Sequence, residues 1–164
     1  MTGAMSAETA LCTSCGLCCT GALHDLAALD QDELAPAAAL GLPVRAASLP
    51  HGFALPCPRL DGTSCTIYAS RPRVCAAYAC QLLEDVRGGR DLASALPVVA
   101  EARRLASELH AVLPPGANLP AARAMLTAGT SPAATRLLTF ALDTYLDRHF
   151  RNGREGPILK SESC

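Results

Sequence analysis

Apolar residues recur at three- and four-residue intervals through the second half of the chain. Val98, Ala102, Leu105, Leu109 and Val112 share one side of a helix predicted over 96–113. Pro97 falls in its first turn, and Pro114-Pro115-Gly116 ends it. Asn118 and Pro120 read as the cap and an early position of a short helix reaching about Ala128. Ser131-Pro132 opens a last helix to about Phe150, with Leu138, Ala141, Leu142, Tyr145 and Leu146 on one side and Gly153 closing it.

The first half carries no such period. Residues 1–11 read as a flexible lead and residues 12–20 as a loop. Asp30-Gln31-Asp32-Glu33 has the form of a capping box, and Pro36 predicts a short or two-part helix ending near Gly41. Residues 42–64, dense in Pro and Gly, read as loop, with a tight turn at Asp61-Gly62. Thr66-Ile67-Tyr68 reads as a short edge strand. Arg71-Pro72 opens a helix running to about Arg87, before Gly88-Gly89. The fold class expected is mainly α. A loop-rich cysteine lobe, 12–87, packs on a small helical bundle, 88–153, within one domain, with a flexible tail at 154–164. Because the bundle has caps and apolar faces of its own, its helices are expected to outlast the order of the lobe.

Composition narrows this picture. A chain of 164 residues suits one domain. Aromatic residues make up only 4% and Trp is absent, so the core must be Leu, Ala and Val, as in packed helices. A net charge of −1 gives no basic surface for nucleic acid. No apolar window of about 18 residues predicts a membrane span, and no signal-like start is seen, so a cytoplasmic setting is expected. Thiols stay reduced there, and adjacent Cys18 and Cys19 also speak against a disulfide framework.

The cysteines carry the chemistry. Cys12, Cys15, Cys18 and Cys19 fall within eight residues, and Cys57, Cys65, Cys75 and Cys80 form a second group. Thiolates at this spacing select zinc, copper(I) or iron–sulfur clusters. Three thiolates in CxxCxxC with one remote partner suit a [4Fe-4S] cluster, the fourth ligand being Cys57, Cys65, Cys75 or Cys80. Two Zn2+ sites would use all eight, so both cofactors stand. The two groups are therefore expected to converge. Cys75 and Cys80 differ by about 140° on a regular helix. They must serve different centres, or the helix must start irregularly. Cys164, the last residue, reads as a free thiol.

Other side chains add less. His24 and His51 lie near the cysteines and could ligate through a ring nitrogen, though a loop histidine is the plainer reading. Asp25, Asp30, Asp32 and Glu33 read as a solvated helix start. Arg71 is placed to offset thiolate charge, and Tyr68 and Tyr78 to pack over the site, Arg71 and Tyr68 being the leading non-cysteine candidates.

The joint pattern is Cys12-x2-Cys15-x2-Cys18-Cys19, followed by Cys57-Pro-x-Leu-Asp-Gly-x-x-Cys65-x-Ile-Tyr-x-x-Arg-Pro-x-x-Cys75. It resembles the YkgJ-like cysteine-cluster proteins, whose CxxCxxCC domain is described as zinc- or iron-chelating. The resemblance covers residues 12–80. It implies metal or cluster binding in a small cytoplasmic bacterial-type protein. No Ser-His-Asp order, phosphate loop or dinucleotide glycine pattern suggests a reaction. The leading reading is metal or cluster handling, sensing or electron transfer without a catalytic site. One alternative is a redox or cluster-assisted enzyme. The other is an interaction module with a structural zinc, binding a protein partner through its C-terminal helices.

Overall fold

The C-terminal helices form where apolar spacing predicts them. The computed structural model describes residues 6–151 and 157–160. Four earlier helices, α1 (Ala7–Cys15), α2 (Leu34–Ala39), α3 (Arg73–Ala77) and α4 (Gln81–Arg87), precede α5 (Leu92–Ala111), α6 (Leu119–Thr127) and α7 (Ala133–His149). The Asn118 carboxamide oxygen accepts from the Ala121 N–H at 2.9 Å, capping α6 as expected. α5 starts four residues before the predicted position, because nothing in Leu92–Leu96 opposes a helix and the Asp91 carbonyl already accepts from Ala95 at 3.2 Å. Pro97 is therefore inside the helix. Its missing N–H leaves the carbonyl of exposed Ala93 to water. On α7, Leu142 and Leu146 are buried with Thr135 and Thr139. The Thr139 hydroxyl donates to the Thr135 carbonyl at 2.7 Å, which is how a hydroxyl is accommodated inside a helix bundle.

The first half is more ordered than its sequence pattern suggests. Ser6 caps α1, Ala7–Cys15, by accepting from Thr9 at 3.2 Å, so residues 7–11 are helix rather than a flexible lead. The capping box at Asp30 is present, and a 3-10 turn at Gln31–Glu33 leads into α2, Leu34–Ala39. Pro36 sits in the first turn of α2, where it breaks no hydrogen bond. Residues 42–64 are not all loop. β1 (Leu26–Ala28), β2 (Val44–Arg45), β3 (Gly52–Ala54) and β6 (Ile158–Leu159) form one sheet in the order β2-β3-β1-β6. β1 lies antiparallel to β3, with Ala27 opposite Phe53, and parallel to β6. A Cβ at Gly52 would run into the Ala27 carbonyl oxygen, so this pairing needs a glycine there. Part of the expected flexible tail is thus a strand, while Gly153 and Cys164 lie outside the described residues. β4 (Leu60–Asp61) and β5 (Ser64–Cys65) form a hairpin around the predicted turn, with Gly62 at φ 58°. The predicted strand at 66–68 is displaced: strand pairing stops at Cys65, and Tyr68–Ser70 form a 3-10 turn.

Two apolar interiors result. The larger joins Leu11 of α1, Leu17 and Leu23 to Leu82 of α4 (Gln81–Arg87) and to α5, α6 and α7. The smaller sits under the sheet, where Phe53 and Ala27 meet Leu34 of α2 and Val74 of α3 (Arg73–Ala77). The N-terminal segment and the C-terminal helices therefore share one core. Arginines reinforce the join: Arg123 donates to the Ala22 carbonyl at 3.1 Å and pairs with Asp25, and Arg151 donates to the Ala22 carbonyl at 3.2 Å and to Asp143 at 3.0 Å. Among the described residues no helix is long and apolar enough to cross a membrane.

Candidate metal centre

Each cysteine is delivered by a distinct local device. α1 carries Cys12 and Cys15, and Gly16 then takes φ 66°, closing the helix with its N–H on the Cys12 carbonyl at 3.2 Å. A Cβ at Gly16 would lie 2.9 Å from the Thr63 carbonyl oxygen, so the β4–β5 turn can sit directly against this bend. The chain turns through Cys18 and Cys19, whose N–H returns to the Gly16 carbonyl at 3.0 Å. The Cys19 carbonyl accepts from the Cys57 N–H at 2.7 Å, joining the two cysteine groups through the backbone. Cys65 stands on β5 opposite Leu60.

The predicted helix from Arg71 to Arg87 is in fact two helices. α3 ends at Ala77 and α4 starts at Gln81, with Tyr78 and Cys80 extended between them. The Gln81 N–H bonds the Phe150 carbonyl at 2.8 Å instead of continuing α3. This break, rather than an irregular start at Cys75, replaces the regular helix on which Cys75 and Cys80 would stand about 140° apart, and both line the same cavity.

All eight cysteines, 12, 15, 18, 19, 57, 65, 75 and 80, line one cavity of about 360 Å3. All eight are half-buried. They stand around a space rather than meeting at a point: among the described residues, no three Cys, His, Asp or Glu side chains are gathered tightly enough to hold a single metal ion. Phe53, Leu55, Leu82 and Phe150 complete an apolar wall. Those residues have no local sequence signal, since only tertiary packing brings them to the cysteines.

Burial disfavours the thiolate form at five of the cysteines. Burial, with neighbouring thiols adding to it, pushes Cys15 and Cys75 up to about 12. It also raises Cys12 and Cys57, and Cys18 is raised by its hydrogen bond with Cys19 and by burial. Arg71 acts against the rise at Cys12 and Cys75. Its guanidinium lies 3.7 Å from the Tyr68 ring centroid and donates to the Tyr68 carbonyl at 3.2 Å. Its Nε is buried with no hydrogen-bond partner, beside the thiol ring. An unspent buried donor costs about 1–3 kcal/mol. That cost is removed if the sulfurs nearby become anionic acceptors. Soft donors around one space and a cation with a spare N–H fit a thiolate-bound metal.

The remaining candidates fall elsewhere. Tyr68 and Tyr78 line the cavity. His24 is 1% exposed and packs edge-on to Tyr78, with ring centroids 5.0 Å apart, while His51 accepts from Leu29 through its carbonyl; neither lines the cavity. Asp30 and Asp32 pair with Arg73 at 3.0 and 2.8 Å, and Glu33 accepts the Arg73 N–H at 2.8 Å, so this acidic patch anchors the start of α3 to the preceding turn.

Comparison with curated proteins and with solved structures finds no match. A family model does match, over residues 11–93, slightly more than half of the chain, and it contains all eight cysteines of the cavity. Its description reads "putative zinc- or iron-chelating domain". On that match, and with these thiols gathered around one cavity, the chain belongs to the CxxCxxCC family of zinc- or iron-chelating domains.

Proposed function

We propose that this chain holds iron as a thiolate-bound iron–sulfur cluster of the [4Fe-4S] type, and that it works in cluster handling or electron transfer in a reducing, cytoplasmic setting. The observation that carries this reading is the single cavity of about 360 Å3 lined by eight thiols. A space of roughly 10–15 Å3 already admits one water-sized body. The cavity suits a group of several atoms better than a lone ion. The order CxxCxxC plus a remote thiolate is also how such clusters are held. When bound, a cluster of this type supplies one-electron transfer. The cysteines would ligate it, the apolar wall would exclude water from it, and Arg71 stacked on Tyr68 would offset its negative charge. Anaerobic reconstitution with iron and sulfide tests the reading. A brown product with a broad thiolate-to-iron absorption band is the predicted result. A chain that takes up zinc and refuses iron and sulfide overturns it.

A second reading draws on a different observation. Leu137 and Phe140 on α7 are 70% and 71% exposed, three residues apart and so on one face. In that reading the metal is structural zinc and the C-terminal helices contact a protein partner. The same reconstitution separates the two.

A further inference from the structure

We infer that metal loading draws the eight cysteines into two adjoining four-thiolate sites, Cys12, Cys15, Cys18 and Cys80 in one and Cys19, Cys57, Cys65 and Cys75 in the other. The inference rests on the proposal that these cysteines bind metal, and it assigns the partition which spacing alone leaves open. Its first support is packing. Cys12, Cys15, Cys18 and Cys80 all pack against the helical core, whereas Cys57 and Cys75 pack against the core under the sheet. Tyr78 touches both cores and stands at the boundary. The second support is the break between α3 and α4. A continuous helix would leave Cys75 and Cys80 about 140° apart on one rod. The extended residues Tyr78 and Cys80 instead carry the chain from the sheet side to the helical side. Cys75 is left on one core and Cys80 on the other.

Cys19 and Cys65 are assigned by their backbone. The Cys19 carbonyl is bonded to the Cys57 N–H at 2.7 Å, which ties Cys19 to the sheet-side group although Cys18 precedes it. The Cys18 and Cys19 thiols hydrogen-bond to each other, so the bend is where the two sites adjoin. Cys65 ends the β4–β5 hairpin that follows Cys57 directly. Charge neighbours agree with this grouping at Cys15, which has Cys18, Cys80 and Cys12 around it, whereas Cys75 has Cys18 ahead of Cys57 and Cys65, and Cys57 has Cys65 and Cys18. Cys18 faces both groups, as expected for the residue at the junction. The first group reads CxxCxxC plus one remote cysteine, and the second draws on one cysteine of the bend and three from 57–75.

The full-length chain, loaded anaerobically with zinc alone or with iron and sulfide, tests the partition by native mass spectrometry. Zinc-loaded wild type should carry two ions, and Cys80→Ser and Cys75→Ser should each retain about one. Combining Cys80→Ser with Cys15→Ser should cost no more metal than either alone, whereas combining Cys80→Ser with Cys75→Ser should remove both. A mutation-free measurement guards against misfolded variants: alkylation of the loaded wild type during slow chelation should label Cys12, Cys15, Cys18 and Cys80 as one kinetic group and the other four as a second. One metal-binding unit per chain, or alkylation of all eight in a single phase, overturns the partition while leaving metal binding intact. Wild type that binds neither zinc nor iron overturns the underlying proposal instead.

Discussion

Replacing Phe150 by Ala should destabilise the helices and the metal centre together. Phe150 is 0% exposed, belongs to the larger core and lines the cysteine cavity. Its carbonyl also accepts the Gln81 N–H at 2.8 Å, at the break that frees Cys80 from α3. Removing the ring keeps that backbone bond but opens a hole between α7 and the thiol wall. Phe→Ala in a core costs about 3–5 kcal/mol. A domain of this size loses roughly 2–4 °C of Tm per kcal/mol, so a fall of about 6–20 °C is expected. The assay is thermal melting of the metal-loaded chain, followed by far-UV circular dichroism and by metal release to a chromogenic chelator. Both transitions should move down together. The caps and apolar faces of 96–150 suggested that these helices would outlast the lobe, but Leu11, Leu17 and Leu82 complete their interior. A loss below about 1 kcal/mol, or helices that melt early while metal leaves at an unchanged temperature, would refute the shared-core argument.

Gly16→Ala should cost about 1–3 kcal/mol, from a residue held at φ 66° with its new methyl 2.9 Å from the Thr63 carbonyl, and should weaken metal retention in a chelator competition; unchanged retention would show that the hairpin does not brace the bend. Arg71→Lys keeps the charge but loses the Nε donor, so cobalt-loaded chain should show its thiolate-to-metal band moved to lower energy with little change in melting; an unmoved band would mean that Arg71 only packs on Tyr68. For the metal-free chain, Cys15 and Cys75 sit at about 12 against an ordinary 9.0, so the unfolded state sheds these protons first. Stability is then intact below pH 9 and declines as pH rises from about 9 towards 12, read as a falling urea midpoint; a flat midpoint would show that the thiols are not shielded. Arg123→Ala leaves the Gly21 carbonyl and the half-buried Asp25 without their guanidinium, while the Ala22 carbonyl keeps Arg151, and should lower stability by about 1–3 kcal/mol in urea titration.

How much could be read in advance depended on the length over which a signal repeats. α5 to α7 carry their pattern over nine to twenty residues, so their apolar faces and the Asn118 cap were legible. The strands of the main sheet are two or three residues long, too short for alternation to register, and β6 joins β1 from the far end of the chain. α1 was hidden because its cysteines drew the reading towards a loop, while its true marker, Ser6 ahead of Ala7–Cys15, is a single capping residue. That the two cysteine groups would converge was legible from spacing, and all eight line one cavity. The break after Ala77 was not, because its cause is a tertiary bond from Gln81 to Phe150, some seventy residues away. Arg71 was legible as a charge near the site, but its spare Nε follows only from how Tyr68 fixes the guanidinium.

The most direct test of the central claim is the iron, zinc and acid-labile sulfide content of the full-length chain purified anaerobically, taken with its absorption spectrum. The account predicts iron and sulfide in equal amounts, a brown protein, and loss of both when the cysteines lining the cavity are replaced by serine. A colourless chain carrying zinc without sulfide, or iron and sulfide that survive the loss of Cys12, Cys15 and Cys18, would contradict it.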